Sequence, residues 1–241
     1  MKLNDKSLTP LYQQVLGDLK AQVISGAYQP GDKLPSEAEL SERYSVSRVT
    51  VRRALDEFAN EGYLTSRQGK GTFVNQRKLT RKLSQTSDVR SFTDLCADMG
   101  MAAGARMLER SVVPAGAKER ELFGEDCRQL AFVSRLRTAD GIPIMEEDNY
   151  FPYEGFEFLL EEDLDDVSIF GLVRTRTGRS PERCAESTIE ITLADARMAG
   201  LLEICTGDPL FFEHVFFLDQ EGRPVCLSNK YLVGSRYQFN I

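Results

Sequence analysis

The chain contains a single histidine, His214, among its 241 residues. That scarcity rules out His-rich zinc sites, and any Ser-His-Asp centre would have to run through this one residue. Five cysteines (Cys96, Cys127, Cys184, Cys205 and Cys226) are odd in number and widely scattered. Neither a disulfide framework nor a CxxC metal knuckle fits that spacing, so they read as reduced residues, mostly of the core. No run approaches the ~18 apolar residues that a membrane span requires, and MKLNDKSLTP lacks the apolar stretch of a secretory signal. The expectation is a cytoplasmic protein with no membrane association, no metal and no cofactor.

What is present divides in two. The length exceeds the usual ~100 to 200 residues of one domain, and a hydrophobic content of 41% can fill two cores. The formal net charge of -7 hides a strong asymmetry. Residues 1–82 carry 14 Lys/Arg against 9 Asp/Glu, a net of +5, while the remainder carries 16 against 28, a net of -12. Between Arg43 and Lys82 ten cations face only Asp56, Glu57 and Glu61. A cationic half on an acidic protein suggests one unit that meets a polyanion and another kept soluble by self-repulsion.

In the basic half, Leu11, Val15, Leu19 and Val23 recur at helical spacing, with Thr9 as a possible cap and Pro10 suited to the first turn. Gly26 and AYQPGDKLP break that helix. Ser36 with Glu39 forms a capping box for a short second helix. After RYSVS, Ser47 can cap a third, whose buried face is Val51, Ala54, Leu55, Phe58 and Ala59. Arg48, Thr50, Arg52 and Arg53 lie near its N-terminal end, the place from which a recognition helix reads the major groove. Arg suits guanine O6 and N7, Thr suits a base edge or phosphate, and the helix start attracts phosphate. YLTSR, QGKG and TFV then read as two short strands around a glycine-rich turn, a wing in which Arg67 and Lys70 can meet phosphate or the minor groove.

In this order the segments PLYQQV, QPGDKLPSEAEL, YSVSRVTVRRAL and EGYLTSRQGKGTFV resemble the GntR family over residues 8–74. The resemblance implies a winged helix-turn-helix over 1–75 that binds double-stranded DNA. It places contacts on Ser36, Glu37, Ser47, Arg48, Thr50, Arg52, Arg53, Gln68, Gly69 and Lys70. Where another member has an arginine in the preceding helix, this chain has Ala38.

Residues 76–90 are polar and basic without apolar periodicity and read as a linker. From 91 to 241 helices, strands and a last hairpin turning at Gln220 to Gly222 alternate, which suggests an α+β domain with an antiparallel sheet. RLRTADGIPIMEEDNYFP, the last hairpin and GSRYQF resemble the UTRA effector domain of the HutC subfamily. That resemblance implies a chorismate-lyase-like fold used without catalysis, a small metabolite in a cleft, and a homodimer on an inverted-repeat operator. An enzyme sharing the lyase fold is disfavoured because no nucleophile and base stand together; a ligand-independent DNA binder is the other alternative.

Arg135 and Arg137 alternate by two, so they share one face of a strand and can converge on a carboxylate or phosphate. Glu147 on the adjoining strand can accept hydrogen bonds from a ligand. Ser91 with Asp94 forms a capping box at a helix start that could also hold an anion. By resemblance to sugar-phosphate sensors the effector site comprises Ser91, Phe92, Thr93, Arg135, Arg137, Glu147 and Ser168, with Tyr231 and Asn229 as weaker candidates. Cys226 and Leu232 stand where those relatives carry glutamate and tyrosine, which favours a small anionic effector over a hydroxyl-rich sugar. The competing reading is that Arg135 and Glu147 are only a cross-strand ion pair, worth ~0.2–1 kcal/mol at a surface.

Overall fold

A computed structural model describes residues 9–67, 69–75, 78–82 and 89–240. The chain forms two compact units, Met1–Arg77 and Lys78–Ile241.

In the first unit, α1 (Leu11–Ile24), α2 (Glu37–Tyr44) and α3 (Arg48–Asn60) precede the hairpin of β1 (Leu64–Arg67) and β2 (Gly71–Val74). Local chemistry sets the helix ends. Ser36 Oγ accepts from Glu39 N while Glu39 accepts from Ser36 N, and Ser47 Oγ accepts from Thr50 N. The expected Thr9 cap is corrected: Pro10 occupies the N-cap of α1, and no side chain bonds there. Val15 and Leu19 of α1 meet Val51, Ala54, Leu55 and Phe58 of α3 in one core, closed by Leu34, Leu40, Tyr63 and Val74. Burying Phe58 alone contributes roughly 1.5–3 kcal/mol. The segment before α2 runs beside β2, with Leu34 N donating to Thr72 O, so the turn and the hairpin brace each other.

The second unit is built on a six-stranded antiparallel sheet in the order β4-β5-β6-β9-β8-β7. These strands are β4 (Ala103–Pro114), β5 (Gln129–Ala139), β6 (Ile142–Pro152), β7 (Arg183–Leu193), β8 (Pro209–Leu218) and β9 (Pro224–Val233). On one face, α6 (Ile169–Thr177) and a short 3-10 turn (Glu157–Leu160) cover Ala131, Val133, Phe151, Val215, Phe217 and Cys226. Further along that face, α4 (Phe92–Asp98) covers Met145 and Leu232. On the opposite face α7 (Ala196–Leu202) packs on Leu136, Leu210 and Val233. A helix not anticipated, α5 (Ala117–Phe123), sets Phe123 edge-on against Phe216.

Two expectations are corrected. The segment read as a linker contains β3 (Leu79–Lys82), which pairs in parallel with β10 (Tyr237–Asn240) and buries Leu79 fully. Its partner lies far along the chain, so no local periodicity announces it. The cysteines are all free, but only Cys96 and Cys226 are buried; Cys184 and Cys205 are exposed. No helix among the described residues is long and apolar enough to cross a membrane.

Candidate functional site

Chemistry-bearing residues gather at two places, one in each unit. In the first, the capped start of α3 presents Arg48 and Val49, both exposed, with Thr50 Oγ1 held 2.9 Å from Ser47 Oγ. Val49 was not anticipated, since it lies off the apolar stripe; it is 76% exposed, and its methyls suit a thymine methyl group. Arg52 is not free: its Nε and Nη2 donate to Glu37 Oε1 and Oε2 at 3.0 and 2.7 Å, a fork that ties α3 to α2. The hydrogen bond from Arg52 holds the Glu37 carboxyl below its ordinary range. Arg53 lies 3.9 Å from the Tyr12 ring centroid and so packs on α1. Arg48 forms no ion pair among the described residues.

In the wing, Gly69 and Gly71 have φ of 72° and 114°, which a side chain would strain. A Cβ on Gly71 would also stand 2.5 Å from Lys33 Cε. Lys33, a basic residue that motif spacing did not suggest, therefore lies against Gly71 and bridges to Phe73 of the wing, and Lys70 is exposed at the turn. Gln68 falls outside the described residues. Ser36 and Ala38 are exposed at the start of α2.

In the second unit, a pocket open to solvent is lined by Ser91, Phe92, Thr93, Arg135, Arg137, Glu147 and Ser168, all expected, and by Asn149, Ile169 and Phe170, which were not. The alternation of β5 and β6 places Arg135 directly opposite Glu147. Glu147 Oε2 accepts from Arg135 Nη2 at 3.1 Å and from Arg137 Nη1 at 3.4 Å. Arg135 Nη1 donates to Val167 O at 2.8 Å, and Arg137 sits over the Phe92 ring at 4.5 Å with Nη2 3.5 Å from Thr93 Oγ1. The ion-pair reading is thus correct as geometry but not as a surface contact, because Arg135 is only 1% exposed. Burial, then Arg137, pulls Arg135 down to about 10. Burial pushes Glu147 up, but Arg137, Arg135 and Lys230 together hold it below its ordinary value. Both arginine Nε atoms are buried without a partner.

The row continues across the sheet. Lys230 is opposite Glu147, Glu213 opposite Lys230, and Glu213 accepts from Lys230 Nζ at 3.2 Å and from both terminal nitrogens of Arg81. Arg135, Arg137, Lys230 and the half-buried Arg81 alternate with Glu147 and Glu213 along this row, and Asp165 adds a further carboxylate that acts on Arg135.

Some expected placements fail. Tyr231 is opposite Glu146 and Phe212, on the other face of the sheet, because β9 sends Lys230 and Leu232 toward the cavity. Asn229 is on that other face too, with His214 Nδ1 2.7 Å from its Oδ1. The start of α4 is already engaged: Asp94 N donates to Ser91 Oγ, and Asp94 Oδ2 accepts from Ser91 N and Oγ. Those amide groups are not available to an anion.

Comparison with known proteins places both units. The family described as bacterial regulatory proteins, gntR family, matches residues 11–74, and the UTRA domain matches residues 98–238. The HTH-type transcriptional repressor NagR of Bacillus subtilis is 31% identical over 99% of this chain and 97% of its own. The HTH-type transcriptional regulator Rv0792c of Mycobacterium tuberculosis is 31% identical over 96% of this chain and 85% of its own. The crystal structure of PhnF from Mycobacterium smegmatis superposes with a TM-score of 0.67 at 28% identity, covering 94% of this chain and 97% of that one. A winged helix with a capped, arginine-bearing recognition helix, joined to a sheet domain of this topology, makes the chain a member of the GntR family with a UTRA domain, a DNA-binding transcriptional repressor rather than an enzyme.

Proposed function

We propose that the chain works in the cytoplasm as a homodimer whose grip on an inverted-repeat operator is altered by a small phosphorylated or carboxylated metabolite. The observation that carries this reading is the buried pair Arg135 and Arg137, served by the single carboxylate Glu147, with both Nε groups unpaired at a cavity. Unpaired buried donors cost stability, and an anionic oxygen offsets that cost.

On DNA, Arg48, Val49 and Thr50 take the base edges, while Ser36, Ser47, Gln68, Gly69 and Lys70 take phosphate or the minor groove. Arg52 and Glu37 act as a pair that orients the helix tip, and Arg53 steadies α3 on α1. The effector acts only insofar as it binds the DNA-free and DNA-bound arrangements with different affinity.

The test is a titration. An operator selected from random duplexes should be an inverted repeat bound by two chains, and phosphorylated or carboxylated metabolites should be screened for its release. Arg137→Ala should abolish the response to an active metabolite and leave DNA binding intact; a response that survives would refute the arginine-pair site.

A further inference from the structure

Among the residues lining the pocket, Asn149 supplies the one buried side-chain acceptor that has no partner among the described residues. None of the three hydroxyls bonds to it: Ser91 donates to Asp94, Ser168 accepts from Gly171 N, and Thr93 accepts from Arg137. Asn149 lies two residues beyond Glu147 on β6 and therefore on the same face. It is 1% exposed, and its Oδ1 is buried without a hydrogen-bond partner. Its register neighbours are Val133 on β5 and Ser228 on β9. Ser228 is fully buried and its Oγ is unpartnered too, so no bond joins the two. Beyond them stand Ala131 and Phe151, which have no polar side-chain atom, and Cys226, whose weak S–H makes no bond to Asn149 Oδ1. Native structures leave few such groups unpaired, since each costs ~1–3 kcal/mol. An orphan acceptor at a cavity, beside two guanidiniums, has a ligand as its natural partner.

We propose that Asn149 sets the specificity of this cavity. The effector carries, besides the anionic group taken by Arg135 and Arg137, a hydroxyl or an amine or amide N–H that donates to Asn149 Oδ1. The proposal rests on the reading of this cavity as the effector site. Asn149 stands two residues along β6 from Glu147, about 7 Å, and lines the same pocket as both arginines, so anion and donor belong to one short molecule. The class is a small hydroxy or amino phosphomonoester or carboxylate, as against a simple anion.

The experiment is isothermal titration of the full chain with three probes: glycerol 3-phosphate and O-phosphoethanolamine, which carry a donor, and ethyl phosphate, whose ester arm carries none. The wild type should bind at least one donor-bearing probe about tenfold more tightly than ethyl phosphate, the difference expected when a buried acceptor gains or lacks its partner. Asn149→Leu, close in shape, and Asn149→Ala should erase that advantage while leaving ethyl phosphate within about twofold; thermal unfolding identifies whichever variant is folded. Equal binding of all three probes by the wild type, or an advantage that survives in the folded variant, overturns the proposal. Arg137→Gln separates the two levels: if it leaves phosphomonoester binding unchanged, or if the wild type binds none, the cavity reading itself falls. If it abolishes binding while Asn149→Leu changes nothing, only the specificity role is lost.

Discussion

Replacing Glu147 with Gln keeps the shape of the side chain but removes the carboxylate whose Oε2 accepts from both Arg135 and Arg137. Two guanidiniums, 1% and 4% exposed, would then be left with only neutral acceptors. Removing one partner of a buried ion pair costs about 3–5 kcal/mol; the glutamine oxygen still accepts a hydrogen bond, so roughly 3 kcal/mol is expected. For a unit spanning Lys78–Ile241, each kcal/mol moves Tm by ~2–4 °C, which gives a fall of about 6–12 °C. The loss should be recoverable from outside. Inorganic phosphate entering between the guanidiniums stands in for the lost charge, and at a hundredfold excess over its Kd it returns ~2.7 kcal/mol. Differential scanning calorimetry of the full chain, with phosphate against chloride at equal ionic strength, should therefore show a lower second-unit transition in the variant and a larger rise on adding phosphate than in the wild type. A transition lowered by less than about 2 °C, or equal phosphate stabilisation of both proteins, would refute the view that this carboxylate balances the two buried guanidiniums.

Three further outcomes can be checked. Burial, with Ser134 opposing it, raises Asp148 from its ordinary 3.8 to about 6, and its Oδ1 is unpaired. The folded state thus holds an extra proton between those values, and stability falls as pH rises from about 4 to 6; Asp148→Asn should flatten that slope and, after discounting for partial exposure, add ~1–2 kcal/mol at pH 7 in urea titrations. Ser47→Ala removes the bond from Thr50 N and should cost about 1 kcal/mol, read as a drop of ~4–8 °C in the first-unit transition. Arg48→Ala should weaken operator binding by ~1–3 kcal/mol in a gel-shift titration, and unchanged affinity and sequence preference would remove it from the contact set.

What could be read from the residue string was mostly local. The Ser36–Glu39 box, the Ser47 cap and the glycines of the wing act within four residues of themselves, so their chemistry is written in adjacent letters. Strand alternation put Arg135 and Arg137 on one face, and the resemblance to sugar-phosphate sensors put them in the site. Tyr231 was misplaced for a related reason: alternation says that neighbours face opposite ways, but which parity faces the cavity is decided by register against β6. Burial sorted the cysteines, and nothing near Cys184 in the sequence says that β7 is an edge strand. Asn149 was passed over because asparagine in a strand is unremarkable until its Oδ1 proves to be buried without a partner. The fork between Arg52 and Glu37 joins two helices, so spacing within either one could not show it.

The pairing of β3 with β10 closes the second unit on itself. Leu79 meets Tyr237 across nearly the whole length of that unit, and Arg81 is pinned on Glu213 of β8. A contact so distant along the chain must overcome a large loop-closure entropy before it adds any stability. These four backbone rungs and one buried carboxylate therefore belong to the last events of folding, a seam drawn shut once the six-stranded sheet is in place.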